Sequence, residues 1–238
     1  MHIYDTFMIN NKLKENYYMG KVTILKETTI NPITTMGERA GVCWNADISN
    51  SAKNYQRGLD CLDSGHGRVL EFVNIEMILE GYSARVVREW YTHIGGAPTR
   101  LQASTRYINY SDFNYIIPHS INQNPEALQE YIRVMQTISD SCKTLIAKHE
   151  IPKEDAALLL PLGMQTTIVD KRNLRNLIDM SHQRMCKRAN WEYRELFSDI
   201  CTALASLSPE WNTLIQKYFI PKCQFLGYCP EKYSCKNK

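Results

Sequence analysis

The sequence predicts an α+β fold: an antiparallel or mixed sheet packed with long helices in a single domain. Three observations carry this. β-branched, alternating segments fall early in the chain, amphipathic helical segments fall late, and the two kinds do not alternate as βαβ units. The 238 residues suffice for one sizeable core, since domains run to roughly 100–200 residues. The domain is therefore expected to span residues 1–238, with a short cysteine-containing tail at about 221–238.

The elements follow in order. Residues 21–27 (KVTILKE) form a short β-branched run that predicts a first strand. Asn31-Pro32 predicts a loop, and residues 37–54, mixing Gly, Asn, Asp and Ser around Trp44, predict a further loop leading into a short helix. Residues 69–80 (VLEFVNIEMILE) alternate as a long strand. Val69, Val73, Ile75, Met77 and Leu79 share one face; Leu70, Phe72 and Ile78 share the other. Gly81 is expected to end this strand, and Ser83 to cap a helix through Ala84, Val87 and Trp90, broken by Gly95-Gly96-Ala97-Pro98.

Asn124-Pro125 pairs a cap with a proline at the first helical position, and Leu128, Ile132, Met135, Ile138, Cys142 and Leu145 follow at helical spacing. Pro152 opens a shorter helix that Pro161-Leu162-Gly163 interrupts. Residues 174–207 predict one long helical segment or two abutting ones.

A content of 44% hydrophobic and 22% charged residues excludes a disordered or low-complexity chain. The longest nearly apolar stretch, 156–164, contains Pro161 and Gly163 and falls short of the roughly 20 residues of a membrane span. The first eighteen residues lack a signal pattern, which predicts a cytoplasmic protein with no membrane partner. A net charge of +3 is too small to argue for nucleic acid. Eight cysteines in such a chain predict reduced thiols rather than a disulfide framework.

Two segments concentrate chemistry. Residues 92–110 hold His93, Arg100, Gln102, Ser104, Thr105, Arg106, Tyr107 and Tyr110. Arginine forks suit phosphate oxygens, hydroxyls complete a cradle, and an amide reads a base edge, so this is either a nucleotide site or a solvated polar loop beside a hairpin. Residues 171–194 form a basic cluster in which Arg184, Arg188 and Trp191 would share a helix face, with Arg175 about two and a half turns earlier; a salt-bridged surface helix is the alternative. The cysteines at 223, 229 and 235 lie too far apart for the usual zinc pairs and no histidine follows them, so no metal is expected. Phosphate-loop, dinucleotide, zinc-protease and serine-nucleophile motifs are absent.

With Gln102-Ala103-Ser104-Thr105-Arg106-Tyr107 and Arg184-Met185-Cys186-Lys187-Arg188-Ala189-Asn190-Trp191-Glu192 both in view, the chain resembles the flavin-dependent thymidylate synthases. Further matching pieces are Ser64-Gly65-His66 before Val69-Leu70-Glu71, Asp155-Ala156, Asn173-Leu174-Arg175 and Gly227-Tyr228-Cys229-Pro230-Glu231, so the likeness runs from about residue 24 to 235. Departures stand beside them. Thr92-His93-Ile94, with nine residues between it and Ser104, occupies the place of the family's Arg-His-Arg, Phe72 replaces a histidine, and Ala157 replaces an arginine.

The resemblance implies a homotetramer that binds FAD, takes a hydride from NADPH and uses methylenetetrahydrofolate to convert dUMP to dTMP. It implies Arg184 as the catalytic cation, and Glu89, Trp90, Thr92, Gln102, Ser104, Thr105 and Arg106 as the other dUMP-binding residues. It places Asn74, His93, Ile94, Gln102, Asn173, Arg175 and Asp179 against the flavin. The lost arginines motivate an alternative, flavin-dependent one-carbon transfer to a different pyrimidine nucleotide. A further alternative is a non-catalytic nucleotide or nucleic-acid binding protein using the basic cluster.

Overall fold

A computed structural model describes residues 20–235. The N-terminal segment in which the sequence shows no signal pattern lies outside those residues. The first half holds β1 (Lys21–Ile24), α1 (Pro32–Val42), α2 (Ser51–Asp63), a 3-10 helix (Gly67–Phe72), β2 (Asn74–Ser83), α3 (Ala84–Trp90) and β3 (Thr99–Gln102). There follow α4 (His119–Asn122), α5 (Pro125–His149), α6 (Lys153–Ala156), a 3-10 turn (Ala157–Leu159), β4 (Gln165–Asn173), α7 (Leu174–Arg184), α8 (Trp191–Ala205), α9 (Pro209–Tyr218) and α10 (Lys222–Leu226). The α+β class is as the sequence predicts: the strands form one four-stranded antiparallel sheet in the order β1-β2-β4-β3. Among the described residues no helix is long and apolar enough to cross a membrane.

The chain divides into two compact units. The first takes in Glu80–Trp90 and Gln102–Ile168. Its core is Phe113, Met135 and Met164, against which Tyr110, Tyr115, Tyr131 and Ile138 pack. Helix α5 supplies the buried stripe: Met135 and Cys142 are buried and Leu128, Ile132, Ile138 and Leu145 partly so, the face that the spacing predicted. Its N-terminus is held by Asn124, whose side chain accepts from the N–H groups of Glu126 and Ala127. Replacing Asn124 with alanine leaves both donors to water, and a loss of about 1 kcal/mol is expected in urea unfolding. Ser83 caps α3 as predicted, its hydroxyl accepting from the Val86 N–H at 3.2 Å.

The second unit takes in Val22–Leu79, Tyr91–Leu101 and the chain from Val169 onward. Here several expectations need correcting. Residues 69–72 belong to the 3-10 helix, and the strand starts at Asn74 and passes through Gly81 to Ser83. Leu70 and Val73, three apart, fit a 3-10 turn as well as a strand, and the Val73 N–H donates to the Leu70 carbonyl. Gly81 takes φ +77°, open to glycine at little cost, so the strand bends there without ending.

The loop expected from Asn31 is instead helix α1. Glycines serve packing rather than turning here: a Cβ on Gly37 would lie 1.8 Å from the Asn54 carbonyl oxygen, and one on Gly58 of α2 would lie 2.0 Å from that of Ile33. Helices α1 and α2 thus meet backbone to backbone.

Strand β4 escaped the sequence reading because its inward positions are Thr166, Ile168, Asp170 and Arg172, and the last two mask the apolar alternation. The segment 174–207 is two helices, since Asn190 caps a fresh start at Trp191 by accepting from the Tyr193 N–H. Helices α9 and α10 lie beyond what the periodicity predicted.

Helix α9 ties back to the beginning of the chain. Glu210 accepts from the Thr34 N–H at 2.9 Å, Ser208 donates to the Ile30 carbonyl at 2.7 Å, and the Trp211 indole donates to the Thr29 carbonyl at 2.8 Å. Asn31 makes no side-chain cap to α1, so Glu210 supplies that cap from the other end of the sequence.

Candidate functional site

The second unit gathers a cation, an imidazole and an aromatic ring. Arg184 is the last residue of α7, and its Nε donates to Nε2 of His93 at 2.9 Å. His93 stands in the segment between α3 and β3. The Arg184 guanidinium also lies 4.6 Å from the ring centroid of Tyr193, a fully buried residue in the first turn of α8. The His93 ring meets Tyr193 edge-on at 6.3 Å, and Phe197 stacks against Tyr193 at 6.1 Å.

Burial, and after it the charges of Arg184, Arg172 and Arg100, hold His93 down at about 4. It is therefore neutral near pH 7, and because Nε2 accepts, its proton is assigned to Nδ1. A ring-proton titration by NMR is expected to give a midpoint near 4 in place of the usual 6.5, rising in Arg184→Ala. The linkage has a definite sign. The folded value lies below the unfolded one, so stability is undiminished above pH 6.5 and falls as the pH drops from there towards 4.

Beneath this group lies a buried polar chain. Arg172 has no exposed side-chain surface and forms two bonds with Asp170, Nε to Oδ2 at 2.6 Å and Nη2 to Oδ1 at 2.7 Å. Its Nη1 donates to Asn176 Oδ1 at 2.6 Å and also meets the Met180 sulfur. The strand pleat puts Asp170 and Arg172 on one face, and α7 brings Asn176 and Met180 over them at i, i+4 spacing.

The loop bearing His93 is closed at its ends by Arg100, which donates to the Tyr91 carbonyl at 3.0 Å and lies 4.5 Å over the Tyr91 ring. Its tip rests on Asn173: a Cβ on Gly96, at φ +70°, would stand 2.3 Å from the Asn173 amide nitrogen. Glycine is required there on both counts.

Of the residues expected at a flavin, the structure thus brings His93 to Arg184, and Asn173 under the His93 loop. Ile94 is 72% exposed on that loop. Arg175 turns outward and pairs with Glu71 at 2.7 Å, and Asp179 is exposed one turn further along α7. Asn74 is not in this group: its amide donates to the Glu27 carbonyl at 3.1 Å and to Glu76 at 3.0 Å. Thr92 is exposed beside His93.

The remaining expected residues belong to the first unit. Ser104 accepts from the Arg106 N–H at 3.2 Å, which shapes the turn, and Thr105 is half-buried within it. Arg106 is held by Glu154 at 2.8 Å with most of its side chain in solvent. Gln102 is exposed at the end of β3. Glu89 pairs with Arg85 along α3 at 3.8 Å, and Trp90 is fully buried, so any contact it makes with a ligand is through its backbone.

The shared helix face expected for Arg184, Arg188 and Trp191 does not exist, because α7 ends at Arg184 and residues 185–190 are not helical. Arg188 instead donates to Glu231 at 3.1 Å and to the Tyr233 carbonyl at 3.0 Å. All eight cysteines are free, and among the described residues no group of three or more acidic, histidine or cysteine side chains could hold a metal ion. Tyr193, Asp170, Arg172 and Asn176 were missed as site-builders. The one hint was the two-residue spacing of Asp170 and Arg172 just before the Asn173 cap.

Residues 25–210 match the family model described as thymidylate synthase complementing protein. Among curated proteins the chain is 28% identical over 204 residues to a flavin-dependent thymidylate synthase of Nitratidesulfovibrio vulgaris, covering 81% of each chain. It is 32% identical over 180 residues to the enzyme of that name from Pyrococcus horikoshii, covering 72% of this chain and 71% of the relative. For the Clostridium tetani enzyme of that name the figures are 27% over 238 residues, with 90% and 92% covered.

Proposed function

The chain belongs to the thymidylate synthase complementing protein family, and from that premise we propose that it is an FAD-dependent thymidylate synthase. It converts dUMP to dTMP with methylenetetrahydrofolate as carbon donor and NADPH as reductant, and it works as a cytoplasmic homotetramer with residues 1–238 as one catalytic domain. The observation that carries this reading is the Arg184–His93–Tyr193 group.

A uracil ring activated for methylation gains negative charge, and a cation fixed beside it lowers the cost. Arg184 is such a cation. His93 holds its Nε and Tyr193 lies against its face, so little orientation remains to be lost when the nucleotide binds. A neutral His93 can hold Arg184 without repelling it.

The donor set of the second unit fits a flavin dinucleotide. Arg175 is an outward-facing cation at the start of α7, beside Asn173 and the close-packed Gly96 loop, and a pyrophosphate needs such a charge at a helix N-terminus. Bound FAD supplies hydride transfer. The chain's part is to hold it through Arg175 and Asn173 and to keep His93 uncharged beside it. In the first unit, Arg106 can exchange the Glu154 carboxylate for the nucleotide phosphate, with Ser104 and Thr105 completing the cradle.

The test is anaerobic turnover with FAD, NADPH and methylenetetrahydrofolate, offering dUMP and dCMP side by side while following flavin absorbance. Formation of dTMP with bleaching and return of the flavin supports the reading. A methylated product from dCMP alone transfers it to a different pyrimidine, and a protein that binds no flavin overturns it.

A further inference from the structure

A cleft of about 500 Å³ in the second unit lies where α7 ends and the C-terminal tail returns. Four of the eight cysteines line it: Cys186, Cys223, Cys229 and Cys235. So do the basic side chains of Arg188 and Lys222. All four thiols are partly exposed, whereas Cys61, Cys142 and Cys201 are buried.

Within the four, Cys229 is distinct. Its sulfur accepts hydrogen bonds from the Glu231 N–H, the Ser234 hydroxyl and the Cys235 N–H. The tail curls around this sulfur, so Cys235 lies beside Cys229 in the cleft although five residues separate them in sequence. Arg188 fixes the curl by bonding Glu231 and the Tyr233 carbonyl, both between the two cysteines.

We propose that Cys229 and Cys235 form a reactive dithiol that is modified by anionic low-molecular-weight disulfides of the glutathione type. The Cys229 thiolate attacks one sulfur of the disulfide, forming a mixed disulfide and releasing one thiolate, which takes up a proton. Cys235 then loses its proton to solvent and attacks the Cys229 sulfur, closing the protein disulfide and releasing the second small thiol. One disulfide is consumed and two thiols are produced, so the two electrons lost by the protein are gained by the reagent. Arg188 and Lys222 favour an anionic reagent, whose carboxylates they can meet.

The three hydrogen bonds draw the Cys229 thiol below its ordinary value, while burial raises those of Cys61 and Cys142 and pushes Cys201 up to about 12. Arg184 borders the same cleft, so closing this ring alters the surroundings of the cation assigned to dTMP formation; that consequence rests on the proposed function, whereas the thiol chemistry does not.

The test uses the full chain with no substrate present. Brief alkylation at neutral pH followed by mass mapping is expected to label Cys229 about tenfold faster than the exposed Cys43. After treatment with glutathione disulfide, trypsin cleavage at Lys232 is expected to leave the flanking peptides joined through Cys229 and Cys235. Cys235→Ser is expected to stop the reaction with glutathione attached to Cys229. The proposal is overturned if Cys229 reacts no faster than Cys43, if no Cys229–Cys235 link forms, or if the purified protein retains stoichiometric zinc that protects the cleft thiols.

Discussion

Arg184→Ala is expected to lower kcat/KM for dUMP by at least about 10²-fold and to weaken dUMP binding by about 2 kcal/mol or more. On the proposed function, the loss removes a charge-assisted bond to a group that becomes more negative as the reaction proceeds, so the transition state suffers more than the ground state. Arg184→Lys is expected to recover only part of it. A lysine restores the charge, but it lacks the planar fork that bonds His93 at 2.9 Å while lying over Tyr193. Steady-state kinetics with a direct dUMP titration separate the two effects, and unchanged dUMP affinity in the alanine variant would remove Arg184 from the nucleotide site.

The largest expected effect on stability is that of Asp170→Ala. It strands the Arg172 guanidinium, which has no exposed side-chain surface and loses both of its carboxylate bonds. Breaking such a pair from one side costs about 3–5 kcal/mol, well beyond an ordinary surface substitution. Replacing Asp170 and Arg172 together by leucine and methionine is expected to cost much less, because no buried charge is then left uncompensated. Urea unfolding of Asp170→Leu, Arg172→Met and the double variant completes the cycle. A double variant as unstable as Asp170→Ala would show that the pair contributes more than mutual neutralisation.

That ion pair also explains much of what the sequence concealed. A strand announces itself by apolar residues at every second position, and β4 places Asp170 and Arg172 where the pattern wants apolar side chains. Helix α1 is hidden for a related reason: Gly37 reads as a loop residue, yet there and at Gly58 of α2 only a residue without a Cβ lets the two backbones meet. Where burial was conventional, as in α5 with its Asn124 cap, the periodicity placed the element correctly. At the site, motif spacing pointed to Arg184 and His93. It could not show that they bond to each other, nor that Tyr193 completes the group, because a tertiary contact leaves no trace in the spacing of either segment. Of the two arrangements open for residues 174–207, the structure takes the two-helix one, because Asn190 caps a fresh start at Trp191.

A ribosome making this chain completes the Thr29–Thr34 stretch 176 residues before it delivers Glu210. At about 5–20 residues per second that interval is roughly 10–35 s. Throughout it the Thr34 N–H and the carbonyls of Thr29 and Ile30 must be satisfied by water rather than by Glu210, Trp211 and Ser208. The N-terminal helix is therefore born early but secured late, and nascent chains halted before Ser208 are expected to remain sensitive to proteolysis near residue 30 long after α5 has become protected.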